Sequence, residues 1–144
     1  MADAGLVVLI TGGGSGMGRE AARRFASQGA TVALFDVNVA GMAETAGTSA
    51  NIHSWTVDLT DFAAVCAAVR EVEARLGPVE RLYNCAGIMP FGKLVEQDNA
   101  VIHRLMAINY GGLVNITQAV LPGMLQRGRG DFVSFASMAG IIPM

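Results

Sequence analysis

The chain has 144 residues, of which 52% are hydrophobic and only 15% are charged, and its formal net charge is −2. This length suits one domain with a buried core. The net charge is close to zero, and Lys and Arg do not cluster among aromatic residues. Both features argue against a nucleic-acid partner. No apolar run reaches the roughly 18 residues of a membrane span, and the first residues lack the basic start of a signal peptide. We therefore expect neither membrane insertion nor secretion.

The two cysteines, Cys66 and Cys85, are neither paired by spacing nor accompanied by other metal ligands. They predict a reducing cytoplasm and no metal site. The high apolar content indicates strands that are buried on both faces of a parallel sheet, in a chain that belongs to a larger assembly.

A glycine cluster follows the first predicted strand, residues 6–11, and a helix predicted over 16–28 follows the cluster. This order directs the free N–H groups of a helix N-terminus at the loop and suits a bound phosphate. A Walker loop is excluded because Arg19-Glu20 replace its Lys and Ser/Thr, and Gly-x-Gly-x-x-Gly fits in no register. Thr-Gly-x-x-x-Gly-x-Gly fits over 11–18. Taken alone, the cluster could still be a flexible turn.

The first helix is predicted to be amphipathic. Its apolar stripe comprises Ala21, Ala22, Phe25 and Ala26, and its solvated side comprises Arg19, Glu20, Arg23 and Arg24.

The second predicted strand, Thr31–Phe35, ends at Asp36, which lies 18 residues after Gly18. A dinucleotide-binding unit places here the acid that binds the adenosine ribose, although a turn aspartate facing solvent is the simpler alternative. A 2′-phosphate beside this carboxylate would cost on the order of 4 kcal/mol per like-charge pair at about 4 Å. Val37 and Asn38 supply no compensating arginine. NAD is therefore favoured over NADP.

The remaining elements follow from periodicity and caps. Strands are predicted over 52–57, 79–83 and 131–137, and helices over 39–47, 62–76 and 99–127, with Thr60 or Asp61 and Asp98 as N-caps. The apolar face of the 62–76 helix comprises Phe62, Val65, Cys66, Val69, Val72 and Leu76, so Cys66 is expected in the core.

The glycine pattern, followed in order by Asp36, Asp58-Leu59, Asn84-Cys85-Ala86-Gly87, Asn109 and Ser137, resembles the short-chain dehydrogenase/reductase family over essentially the whole chain. The resemblance implies an α/β fold, a Rossmann-type doubly wound parallel sheet between two helix layers, with strand order 3-2-1-4-5. Residues 1–144 would be an NAD-binding domain, incomplete on its C-terminal side. The implied reaction moves hydride between NAD(H) and a small-molecule alcohol or carbonyl, and the complete protein would be a homo-oligomer, a dimer or tetramer.

By the same resemblance, the residues that bind the cofactor are Thr11, Gly12, Ser15, Gly16, Met17, Gly18, Asp36, Val37, Asp58, Leu59, Asn84, Ala86 and Gly87. Ser15 stands where relatives that prefer NADP often carry a basic residue. Asp58 would bond the adenine amino group and Leu59 would pack on the ring. The simpler alternative is that Asp58 only ends a strand or helps to cap the next helix.

The resemblance assigns catalysis to Ser137, which would polarise the substrate oxygen, and to Asn109, whose backbone carbonyl would hold a water of the proton relay. A locally satisfied helix residue is the alternative for Asn109. The family's Tyr-x-x-x-Lys motif would follow beyond Met144, so this chain alone is expected to be inactive. A noncatalytic NAD-binding or regulatory module and a methyltransferase remain as competing functions.

Overall fold

The computed structural model of the chain describes residues 3–137 and contains one parallel sheet of five strands. The strands are β1 (Val7–Thr11), β2 (Thr31–Asp36), β3 (Ile52–Thr56), β4 (Arg81–Asn84) and β5 (Asp131–Ser134). Their order is β3-β2-β1-β4-β5, as predicted. The order reverses between β1 and β4, and in such sheets the crevice at the carboxyl ends of these strands is where ligands bind.

Within the described residues, five α-helices connect and flank these strands. They are α1 (Gly16–Ser27), α2 (Val39–Ala46), α3 (Phe62–Leu76), α4 (Asn99–Met106) and α5 (Leu113–Arg127). The side chains of Asp61 and Asp98 accept backbone N–H bonds at the starts of α3 and α4, which settles the first cap in favour of Asp61 over Thr60. No helix within residues 3–137 is long and apolar enough to cross a membrane.

The helix predicted over 99–127 forms, but Ala107–Gly112 inside it is π-helical. At its end Gly112 lies against Leu59, since a Cβ built on that glycine would come 3.0 Å from the Leu59 Cβ. The glycine thus lets the helix approach the loop after β3 closely. Such wide turns often lie at functional sites, and this one carries Asn109.

Helices pack on both faces of the sheet, which confirms the three-layer expectation, and β1 is buried along its whole length. Alternate β1 residues point to opposite sides: Val7 and Leu9 pack in one apolar cluster with α3 and α5, and Val8 and Ile10 pack in the other with α1 and α2. These strands therefore read as unbroken apolar runs.

Two local expectations, for the end of β5 and for one residue of α3, are wrong. The last strand was predicted to reach Ser137, but β5 ends at Ser134, opposite Asn84, where β4 also ends and the ladder has no further partner. Cys66 is half-buried rather than core, because the buried face of α3 is centred on Val65, Ala68, Val69 and Val72.

Candidate cofactor site

A cavity of about 460 Å³ lies at the carboxyl ends of the strands. Among the predicted cofactor residues, it is lined by Gly12, Ser15, Gly16, Met17, Gly18, Asp36, Val37, Asp58, Leu59, Ala86 and Gly87. Thr11 and Asn84 lie buried instead. Sequence reasoning gave no cofactor role to Phe35, Asn38, Val57, Cys85, Ile88, Arg104 and Ile108, which also line the cavity. Arg104 and Ile108 come from α4 and the π-helical turn, whose approach no local pattern reveals.

The glycine loop is shaped by backbone packing. Gly12 has φ +68°, and a Cβ on it would come 2.8 Å from the Ala86 Cα. A Cβ on Gly18 would overlap the carbonyl of Gly12. Gly16 differs, because its φ of +51° favours glycine while a Cβ there would meet no atom within 4 Å. The loop therefore packs tightly against the Ala86 backbone and against the start of α1. At Gly16, which lines the cavity, it is open.

The N-terminus of α1 is built to accept an anion. Its N-cap, Ser15, makes no side-chain capping bond, and its first turn carries no acidic residue. A helix start leaves N–H groups without intrahelical partners and carries partial positive charge. A phosphate placed on this loop would accept hydrogen bonds from those N–H groups, and its negative charge would offset the partial positive charge. The residues present therefore fit the diphosphate of a dinucleotide.

Asp36 lies at the end of β2, half-buried and against the glycine loop. Its Oδ2 accepts the N–H of Gly14 at 2.8 Å, and its Oδ1 accepts the N–H of Asn38 at 2.9 Å. These bonds fix the carboxylate at the cavity wall, and each oxygen keeps a second lone pair for another donor. The Asn38 bond is the local contact of a turn aspartate, and the Gly14 bond joins the same carboxylate to the glycine loop.

Arg19 was predicted on the solvated side of α1, and that prediction is wrong. Its side chain is only 19% exposed and forms an ion pair with Glu44 of α2 at 2.6 Å. It also donates to the Gly14 carbonyl at 2.6 Å and to the Thr45 hydroxyl at 3.2 Å. Helix periodicity indicated which face of α1 is polar, but it could not show that α2 lies against that face.

A buried hydrogen-bonded pair ties the ends of β1 and β4 behind the cavity. The Thr11 hydroxyl donates to Asn84 Oδ1 at 2.6 Å and accepts the Ala86 N–H at 3.1 Å. The Nδ2 group of Asn84 is buried without a hydrogen-bond partner among residues 3–137. Thr11 and Asn84 thus hold the loops that line the cavity rather than lining it themselves.

Replacing Thr11 with valine is expected to lower the free energy of unfolding by about 1–3 kcal/mol, because Asn84 Oδ1 and the Ala86 N–H would lose their partner in a buried site. Urea unfolding followed by circular dichroism measures this. Thr11→Ser keeps the hydroxyl and should lose clearly less. Equal stability of the valine and wild-type proteins would contradict the account.

The loop after β3 carries Asp58 and Leu59. Asp58 Oδ1 accepts both the backbone N–H of Thr60 at 2.9 Å and its hydroxyl at 2.8 Å. The Thr60 N–H, with smaller effects from its hydroxyl and from Arg104, holds the pKa of Asp58 below its usual value. Asp58 therefore does support the turn before α3, and it also faces the cavity, so the two predicted roles are compatible.

Beyond β4, the side chain of Asn109 fixes the chain at Ile88. Its Oδ1 accepts the Ile88 N–H at 2.9 Å, and its Nδ2 donates to the Ile88 carbonyl at 2.8 Å. The side-chain amide of Asn109 thus finds its hydrogen-bond partners in a segment 21 residues away rather than in its own helix. Ser137 is exposed and lies three residues after the end of β5.

Cys85 faces the cavity from the same loop. Burial raises the pKa of its thiol to about 11, so at neutral pH it is protonated and a poor nucleophile. This fits a small residue in the cavity wall rather than a reactive thiol. Within residues 3–137, no three His, Cys, Asp or Glu side chains come together to hold a metal ion.

Comparison with known proteins decides the family. A family model described as short chain dehydrogenase matches residues 6–144. The chain belongs to the short-chain dehydrogenase family. A family member from Burkholderia xenovorans has a crystal structure that superposes with a TM-score of 0.89 at 34% identity, covering 96% of this chain and 58% of that one.

Two curated relatives are dehydrogenases. The 2-keto-3-deoxy-L-fuconate dehydrogenase of Xanthomonas campestris pv. campestris is 39% identical over 134 residues, covering 93% of this chain and 43% of the relative. The 2-dehydro-3-deoxy-L-rhamnonate dehydrogenase (NAD(+)) of a Sphingomonas species is 38% identical over 138 residues, covering 95% and 55%. The chain spans about half the length of these relatives.

Proposed function

We propose that residues 1–144 form the NAD-binding domain of a short-chain dehydrogenase that moves hydride between NAD(H) and a small-molecule alcohol or carbonyl. The observation that carries the proposal is the cavity at the carboxyl ends of β1 to β4, where a glycine loop with available N–H groups faces Asp36. In this family the nicotinamide supplies the hydride chemistry when bound.

The preference for NAD over NADP rests on Asp36. Its carboxylate is held at the cavity wall by two backbone N–H groups, so it could not move away from a 2′-phosphate without breaking them. Arg19, whose side chain contacts the glycine loop at the Gly14 carbonyl, is engaged by both carboxylate oxygens of Glu44. The NAD(+)-dependent relative from Sphingomonas supports the same preference by analogy.

The proposed catalytic residues are Ser137 and Asn109. The Ser137 hydroxyl would donate to the substrate oxygen and stabilise the negative charge that develops there. Asn109 holds the chain at Ile88, and its backbone carbonyl would bind a relay water. The family resemblance assigns the rest of proton transfer to a tyrosine and a lysine. Because the chain spans about half the length of its relatives, hydride transfer is proposed for the complete protein and dinucleotide binding for residues 1–144.

A cytoplasmic location is also proposed. Cys66 and Cys85 are both free, in keeping with a reducing cytoplasm. A dimer or tetramer of the complete protein is proposed from the family resemblance.

Replacing Ser137 with alanine in the complete protein is expected to lower kcat about tenfold to a hundredfold, since a hydrogen bond to developing charge is lost. The KM for NAD should stay unchanged, because this residue would contact the substrate. Stopped-flow absorbance at the NADH band measures both. Ser134→Ala, on the exposed end of β5, is the matched control. Equal rates for the two variants would refute the role of Ser137, and absence of NAD-dependent turnover by the wild-type protein would favour the noncatalytic module.

A further inference from the structure

The glycine loop between β1 and α1 packs against α2. The buried Thr45 hydroxyl lies 2.7 Å from the Gly13 carbonyl and 2.9 Å from the carbonyl of Gly41 one turn earlier in α2. Gly41 also lies against the loop, because a Cβ built on it would come 2.5 Å from the Gly14 carbonyl oxygen. The face of α2 that carries Gly41 and Thr45 thus packs directly against the carbonyl groups of the loop, and this packing supports the loop.

Arg19 completes this support from α1. Its Nε donates to the Thr45 hydroxyl at 3.2 Å, and its Nη2 donates to the Gly14 carbonyl at 2.6 Å. Since the hydroxyl has one proton, accepting from Arg19 leaves that proton for the carbonyl of Gly13 or Gly41. Glu44 then fixes the guanidinium through Nη1 at 2.6 Å and Nη2 at 3.0 Å.

These contacts set the direction of two loop peptides. In a trans peptide the C=O and N–H groups point in opposite directions. The Gly13 carbonyl lies against Thr45, and the N–H of the same peptide, on Gly14, is given to Asp36. The Gly14 carbonyl is held by Arg19, so the N–H of Ser15 points away from α2. Ser15 itself lines the cavity.

We infer that Arg19 and Thr45 are positioning residues for the diphosphate of the dinucleotide. By holding the two carbonyls on the α2 side, they keep the adjoining N–H groups in place before the ligand arrives. Preorganised donors avoid the ordering cost of binding. The inference rests on the proposed function, because it names the part of the cofactor to which the loop is adapted.

The planar guanidinium, rather than positive charge alone, is what the geometry requires. Arg19 bonds an acid, a hydroxyl and a carbonyl at once, and a lysine ammonium cannot reproduce that fork. Arg23 provides a matched control on the same helix. It also bonds α2, through the carbonyls of Thr45 at 3.3 Å and Glu44 at 2.8 Å, but none of these bonds reaches the glycine loop.

The test measures ADP-ribose binding to the complete protein by isothermal titration calorimetry, and adenosine binding by NMR titration. Arg19→Lys and Thr45→Val are each expected to weaken ADP-ribose binding about tenfold, a loss of about 1.4 kcal/mol, while adenosine binding changes less than about twofold. Thr45→Ser should keep near wild-type affinity, since it retains the hydroxyl. Arg23→Met should bind ADP-ribose as the wild type does. Thermal melts of all variants report folding.

The outcomes separate this inference from the proposed function. If the wild-type protein does not bind ADP-ribose, the proposed function falls and the inference falls with it. If the wild type binds and Arg19→Lys keeps its affinity, or Arg23→Met weakens binding as much, only the inference is overturned. Equal loss for adenosine and ADP-ribose would overturn it too, because a general disturbance of the fold would then explain the effect.

Discussion

Replacing Gly18 with alanine is expected to abolish measurable NADH binding. Gly18 is buried in the first turn of α1, and a Cβ there would overlap the Gly12 carbonyl. The obstructing carbon and oxygen atoms belong to the Gly12 backbone, so the clash cannot be relieved by rotating a side chain. The helix start would have to move away from the loop, and the N–H groups offered to a diphosphate would separate. We expect the dissociation constant to rise more than about 10³-fold, alongside a loss of stability of about 1–3 kcal/mol from overpacking.

Quenching of tryptophan fluorescence during NADH titration of residues 1–144 measures the effect, because Trp55 is the only tryptophan in that range. Gly111→Ala is the control, since beyond the adjoining helical turn a Cβ there would meet only the Met106 carbonyl oxygen, at an ordinary 3.9 Å. It should leave binding unchanged. A Gly18→Ala protein that binds NADH as tightly as the control would show that the loop does not hold the cofactor.

Replacing Asp36 with alanine is expected to remove the preference for NADH over NADPH. In the wild-type protein a 2′-phosphate would bring negative charge close to the fixed carboxylate. At about 4 Å and an effective dielectric constant near 20, one such pair costs about 4 kcal/mol, or about 10³-fold in affinity. The alanine variant should bind NADH more weakly, because it loses the ribose partner and the Gly14 bond, and NADPH more tightly. The ratio of the two dissociation constants should therefore fall from about 10³ towards one.

The ratio is measured by calorimetric titration with each nucleotide at the same ionic strength, since salt screens the repulsion. Asp98→Ala is the control. It removes one acid that caps α4 through the Ala100 N–H at 2.9 Å and that is absent from the cavity lining. It should cost about 1 kcal/mol of stability and leave the ratio unchanged. An unaltered ratio in Asp36→Ala would contradict the specificity argument.

Much of this fold can be predicted from the sequence because the patterns that specify its strands and turns are local. Buried parallel strands appear as apolar runs such as Thr31–Phe35, and glycines mark the loop where the backbone turns sharply. The order of elements, together with the family resemblance, then determines the strand order. Local patterns also located α3 and restricted its cap to Thr60 or Asp61, because capping depends on residues only three positions apart; the structure selects Asp61.

What the sequence could not reveal depends on how elements pack. Arg19 reads as a surface arginine on its own helix, and Thr45 as a weak helix former in another. Only the approach of α1 to α2 makes them neighbours at 3.2 Å. Arg104 reaches the cavity for the same reason, through the packing of the helix after β4. The end of β5 was missed because a strand stops where its partner stops, and that information lies at Asn84, far away in sequence.

A crystal structure of the complete protein grown with NAD⁺ tests the central claim most directly. The account predicts the diphosphate on the N–H groups of the loop between Gly12 and Gly18, and the adenosine ribose hydroxyls within hydrogen-bond distance of the Asp36 carboxylate. An empty crevice at saturating NAD⁺, or a dinucleotide bound elsewhere, would contradict it.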